Sequence, residues 1–168
     1  KTIRLLTDNS ELKETARKYG ITTKEFIEIP AADGKTILNA WILKPANFDR
    51  SKRYPVVINQ YSGPESQQVK NEWGIDFWNY LAQEGYIVVT VDPRGTGGRG
   101  EAFRKCTYLR LGDIESSDLI ASGKWLSEQH YADPAKIGIW GWSYGGFMAS
   151  LCILKGNDVF STAIAIAP

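Results

Sequence analysis

The sequence predicts an α/β fold built on a mostly parallel sheet with helices on both faces. Three observations carry that prediction. From residue 55 onward, short apolar runs alternate with amphipathic stretches. The runs at 55–60 and 86–91 are rich in Val and Ile, the composition of strands buried on both sides. The stretches between them repeat apolar residues at helical spacing, as at Phe77, Trp78, Leu81 and Ala82.

The elements follow in order. Residues 1–7 alternate like a strand, with Ile3 and Leu5 on one face, yet nothing downstream is an obvious partner. Asn9 or Ser10 can cap a short polar helix that Gly20 ends. Residues 26–29 and 36–43 read as a hairpin around Asp33-Gly34, a dipeptide suited to tight turns. A strand at 55–60 leads to the turn Ser62-Gly63-Pro64, a helix at 75–84 closes at Gly85, and a strand at 86–91 leads to a glycine-rich loop. The helix at 115–129 turns Leu119, Ile120, Gly123 and Leu126 inward. A strand at 136–140, a helix at 143–155 and a strand at 161–167 complete the chain.

Bulk properties narrow the function classes. Lys and Arg total 20 against 19 Asp and Glu, a balance that lacks the clustered basic character of nucleic-acid or membrane-surface binders. No apolar run reaches the roughly 18 residues of a membrane span. Cys106 and Cys152 are too few for a disulfide framework, and with the single His130 they form no metal-ligand spacing. Neither a metal nor a cofactor is expected.

One motif carries chemistry. Gly141-Trp142-Ser143-Tyr144-Gly145 is G-x-S-x-G, with a predicted strand running into it and a predicted helix leaving it. That is the strand–turn–helix setting in which α/β-hydrolases hold a nucleophilic serine at a strained turn. Gly141, Gly145 and Gly146 supply room that side chains would fill, and the helix N-terminus places N–H groups where an oxyanion develops. The bland reading is a glycine-rich turn that merely contains a serine. A serine hydroxyl also needs a general base, and in this fold the acid and then the histidine follow the nucleophile. His130 precedes Ser143 and reads as a helix-end residue, while Asp158 sits in a Gly-Asn-Asp turn that it solvates or caps. The residues given therefore hold no triad acid or base, and taken alone they are expected to be inactive.

Around this motif the chain resembles the prolyl oligopeptidase family of serine peptidases, and Trp142 and Tyr144 beside the serine resemble its dipeptidyl peptidase IV branch. The resemblance extends through Arg53-Tyr54-Pro55, VVINQYSGP at 56–64, DPRGTGGRG at 92–100, LRLGDIE at 109–115 and AIAIAP at 163–168. It implies an α/β-hydrolase catalytic domain whose N-terminal part is residues 10–168, stopping after the strand that follows the nucleophile helix. Residues 1–9 would be the exit of a preceding β-propeller domain. It implies Ser143 as the acylated nucleophile, the Tyr144 N–H as one oxyanion donor and the Tyr61 hydroxyl as the other. Tyr61 also lies just past the C-terminal end of a predicted parallel strand, where ligands gather in such sheets; packing at a strand end is its bland reading. Family sequences commonly carry Gly or Ala where Ser62 stands, a departure expected to leave Tyr61 untouched. The implied substrates are peptides with a free N-terminus and penultimate Pro or Ala. A homodimer and a periplasmic, cell-surface or secreted location are implied for the full-length protein. The residues that would read the substrate lie outside this sequence.

Other readings compete. Gly95-Thr96-Gly97-Gly98-Arg99-Gly100 satisfies G-x-G-x-x-G, but no strand follows until residue 136 and Asp118 falls within a helix, so a dinucleotide fold is not expected. The loop reads instead as a rim to the site. An esterase or lipase could use the same elbow, and a non-catalytic homologue is a further class, against which the intact Ser143 speaks. The sheet edge at 161–167 is expected to need further cover.

Overall fold

A computed structural model describes residues 3–168. Its sheet has six strands in the order β1-β2-β4-β3-β5-β6. These are β1 (Glu25–Pro30), β2 (Ile37–Leu43), β3 (Tyr54–Asn59), β4 (Ile87–Asp92), β5 (Ala132–Trp142) and β6 (Thr162–Ile166). The hairpin β1–β2 and the pair β2–β4 are antiparallel, while β4, β3, β5 and β6 run parallel. The helices are α1 (Ser10–Lys18), α2 (Phe77–Gln83), α3 (Glu101–Lys105), α4 (Ile114–Ser127) and α5 (Tyr144–Lys155).

The strand pleat divides the core between two faces. On β2, Ala40 and Ile42 face the larger core while Trp41 and Leu43 face the smaller one. On β4, Val89 and Val91 likewise oppose Val88. The larger core is closed by Leu119 and Leu126 of α4 with Met148, Ala149 and Cys152 of α5, and the smaller by Trp78, Leu81 and Ala82 of α2. Helices thus cover both faces, as the buried-type strands predict. Cys152 is buried and Cys106 half-buried, both as free thiols, and burial pushes the Cys152 thiol up to about 12.

Several boundaries differ from the sequence expectations. Residues 3–9 form no strand, and Lys1 and Thr2 lie outside the described residues. Ile3 is 99% and Leu5 71% exposed, so among the described residues their alternation meets neither a sheet nor a core. Asn9 takes the position before α1 with a left-handed φ of 53° and no side-chain cap; the Asp8 carboxylate accepts the Ser10 N–H instead. Helix α2 starts at Phe77 because Asp76 caps it, accepting the Trp78 N–H, while Asn79 accepts the Asp76 N–H. That register turns Phe77 out to solvent, contrary to the expected inward face. Strand β5 is longer than expected at both ends.

The β1–β2 turn shows how local chemistry sets a bend. Gly34 is left-handed at φ 65°, and the Asp33 carboxylate accepts the N–H groups of Thr36 and Lys35 and the Thr36 hydroxyl. Those bonds, the Thr36 N–H first, hold the Asp33 carboxyl down to about 2. The hairpin is also anchored from a distance. Asp118 of α4 is fully buried, accepts the Ala32 N–H at 3.0 Å, and takes Arg94 through its Nε at 2.9 Å and Nη2 at 2.7 Å. Arg94 reaches on to Asp33 at 2.8 Å, so one cluster joins hairpin, post-β4 loop and α4. Removing one partner of a buried pair strands the other. Asp118→Ala is therefore expected to destabilise this chain by about 3 kcal/mol in a urea titration, and an unchanged midpoint would contradict that role.

Candidate active site

Strand β5 ends at Trp142 and α5 begins at Tyr144, leaving Ser143 alone between them. Its φ of 56° and ψ of −121° lie outside the regions that L-residues favour. The strain is held by neighbours on both sides. The Ser143 N–H donates to the Ile166 carbonyl at 2.8 Å, prolonging the β5–β6 ladder, and the Ser143 carbonyl accepts the Phe147 N–H at 3.0 Å to open the helix. The residue is solvent-exposed, at the C-terminal edge of the parallel strands and over the N-terminus of a helix of 12 residues. The first N–H groups of such a helix have no partner within it, and its dipole favours negative charge there.

Each elbow glycine has its own steric reason. A Cβ at Gly141 would stand 2.1 Å from the Gly145 carbonyl oxygen. One at Gly145 would stand 2.6 Å from the Gln60 carbonyl oxygen, and one at Gly146 2.7 Å from that of Ile166. All three obstacles are backbone atoms of packed elements, which cannot yield as a flexible side chain would.

Tyr61 follows the end of β3, with its ring folded over Gly63 so closely that a Cβ there would lie 2.4 Å from Tyr61 Cε1. The ring is partly exposed and tilted 51° to that of Tyr144 at a centroid distance of 6.3 Å. The strand order thus brings residues 61 and 143–144 to one edge. Ser62, expected to be incidental, is buried at a left-handed φ of 63° and donates its hydroxyl to Gln60 Oε1 at 2.8 Å. The glycine-rich loop joins the same rim. The Gly97 N–H donates to the Ser66 carbonyl at 2.8 Å, and a Cβ at Gly97 would lie 2.6 Å from the Glu65 carbonyl oxygen. Gly100 precedes only the short α3 and no strand, so the loop shapes the rim rather than a dinucleotide site.

Two polar residues of the site escaped the sequence reading. Glu115, in the first turn of α4, is fully buried and accepts the Tyr144 hydroxyl at 2.7 Å and the Gly112 N–H at 3.1 Å. Burial first, and then the Glu115 carboxylate, push the Tyr144 phenol well above its usual range. Its ring is therefore a fixed neutral surface next to Ser143. Gln60 is buried and donates from Nε2 to the Gly145 carbonyl at 2.7 Å. Only a polar residue closing an apolar strand pointed to Gln60, and only an acidic residue in a helix first turn to Glu115.

The remaining titratable candidates fall elsewhere. His130 is exposed just before β5, whereas Ser143 follows that strand's far end. The whole length of β5 lies between the two. Asp158 pairs with Lys124 at 3.5 Å on the surface. No group of His, Cys, Asp and Glu suited to a metal ion occurs among the described residues.

The model of the prolyl oligopeptidase family matches residues 75–168. Dipeptidyl peptidase 4 of Trichophyton equinum is 38% identical over 172 residues, a match that takes in 100% of this chain and 22% of that protein. Prolyl endopeptidase FAP of Mus musculus is 36% identical, covering 99% of this chain and 22% of its own length. The crystal structure of Porphyromonas gingivalis dipeptidyl peptidase 4 superposes with a TM-score of 0.90 at 49% identity, over 99% of this chain and 24% of that one. The chain thus spans between a fifth and a quarter of the length of these relatives. The family match includes the elbow built on β5 and α5, and on that ground this chain belongs to the prolyl oligopeptidase family.

Proposed function

We propose that the full-length protein is a serine peptidase that releases dipeptides from peptide N-termini, with Ser143 as nucleophile. The observation that carries this reading is Ser143 itself, exposed and strained between β5 and the N-terminus of α5, in a chain similar to dipeptidyl peptidases over its whole length. The Ser143 hydroxyl attacks the carbonyl carbon of the second residue, giving its proton to a base. The carbonyl oxygen becomes an oxyanion, and the Tyr144 N–H and the Tyr61 hydroxyl donate hydrogen bonds to it. Collapse of this tetrahedral adduct breaks the C–N bond as the base returns the proton to the leaving nitrogen, and the shortened peptide departs as an amine. Water then hydrolyses the acyl-enzyme ester and restores Ser143. The base and its acid belong, on this reading, to the part of the relatives' length that this chain does not span. Penultimate Pro or Ala is the proposed preference, on the strength of Trp142 and Tyr144 beside the serine.

Hydrolysis of Gly-Pro p-nitroanilide by the full-length protein tests the proposal. Turnover is expected, together with its loss in Ser143→Ala. A wild-type protein that cleaves simple aryl esters but no dipeptidyl amide would instead favour an esterase on the same elbow.

A further inference from the structure

We infer that Gln60, braced by Ser62, is a positioning residue that ties the Tyr61 side of the oxyanion site to the nucleophile elbow; the inference rests on the roles proposed above for Tyr61 and Tyr144. A buried primary amide must satisfy donors and an acceptor at once, so its bonds define what it holds together. Gln60 is 2% exposed. Its Nε2 donates to the Gly145 carbonyl at 2.7 Å, with a longer contact of 3.4 Å to the Trp140 carbonyl. Its Oε1 accepts the Ser62 hydroxyl at 2.8 Å.

The geometry divides into two grips. On one side the amide reaches the end of β5 and the first turn of α5, the two segments that flank Ser143. On the other side the Ser62-to-Gln60 bond closes a small ring around Tyr61, with Ser62 at its left-handed φ of 63°. Tyr61 is therefore held through both of its chain neighbours. The two grips press together, since a Cβ on Gly145 would lie 2.6 Å from the Gln60 carbonyl oxygen and 3.1 Å from Tyr61 Cα. An apolar residue at 60 could fill the volume and keep the backbone N–H on the Trp140 carbonyl at 3.3 Å, but it would lose the side-chain bonds to Gly145 and Ser62. Because a shift of an ångström in a preorganised donor is costly to catalysis, such a tie acts on turnover more than on ground-state binding.

The test uses the full-length protein and two readouts. The first is kcat and KM on Gly-Pro p-nitroanilide, counted per site labelled by a fluorophosphonate. The second is the rate of that labelling at Ser143, which is independent of peptide specificity. Gln60→Leu is expected to lower both kcat and the labelling rate by about tenfold with KM within about twofold. Ser62→Ala, which removes only the brace, is expected to lower them about threefold. In a Tyr61→Phe background the further loss in kcat from Gln60→Leu should shrink to about twofold or less, since the donor being positioned is gone. Unchanged kcat and labelling rate in a folded Gln60→Leu protein would overturn the inference. So would a full additional loss in the Tyr61→Phe background, or a lowered melting temperature with normal kcat per labelled site. Should Gln60→Leu fail to fold, Ser62→Ala decides by the same criteria. A wild type that labels normally but cleaves no dipeptidyl amide would refute the peptidase proposal, and the labelling rates of the variants would still judge the clamp.

Discussion

Tyr61→Phe is expected to lower kcat of the full-length protein on a dipeptidyl amide by about two orders of magnitude while KM stays within about twofold. The substitution deletes one oxygen and keeps the ring, whose contacts are with Gly63 beneath it and the Tyr144 ring beside it. Ground-state binding should therefore persist. On the proposed mechanism, what is lost is one of two donors to charge that develops only as Ser143 adds to the carbonyl, an interaction worth about 3 kcal/mol in comparable sites. Steady-state kinetics of the purified variant, with active sites titrated, checks the split. Wild-type kcat would remove Tyr61 from the mechanism, and a rise in KM at constant kcat would make it a substrate wall instead.

Gly141→Ala is expected to abolish turnover and destabilise the fold by about 3 kcal/mol, whereas Gly138→Ala three residues earlier on β5 is expected to change stability by less than about 0.5 kcal/mol. The contrast is steric. A methyl group at Gly141 would stand 2.1 Å from the Gly145 carbonyl oxygen and 2.5 Å from the Gln60 amide nitrogen, so β5 and α5 would have to separate at the elbow. At Gly138 the nearest atom is the Thr162 carbonyl oxygen at 3.6 Å, an ordinary contact. Chemical denaturation of the two variants, with fluorophosphonate labelling of Ser143, compares them directly. Equal stability of the two would mean that the elbow relaxes around a Cβ, and that the glycine is not what permits the turn.

The parts of the fold that were legible from residues are those whose causes are close in sequence. Asp33-Gly34 makes its own turn, because the carboxylate accepts N–H groups two and three residues on. The elbow was legible for the same reason, since G-x-S-x-G reports a strand running into a helix with too little space for side chains. Helix α2 marks the limit of such reading. Its apolar spacing was visible, but Asp76 capped it two residues later than expected, and Phe77 turned outward as a result. The alternation over residues 3–7 shows a different limit: it describes two faces but supplies no partner within the described residues.

The candidate site divides along the same line. Residue order alone determined that Ser143 stands at a strand-to-helix turn, that Gly141, Gly145 and Gly146 flank it, and that Tyr61 follows a strand end. Those are consequences of local sterics and of which side chains the backbone tolerates at each step. Only the tertiary structure decided that Gln60 bonds to a carbonyl 85 residues away, that Glu115 lies buried under the Tyr144 hydroxyl, and that Asp118 anchors a hairpin 86 residues before it. A polar side chain written in a sequence carries its need for partners but not their identity. The strand order β4-β3-β5 supplied those partners by bringing distant segments to one edge of the sheet and excluding the water that would otherwise have satisfied them.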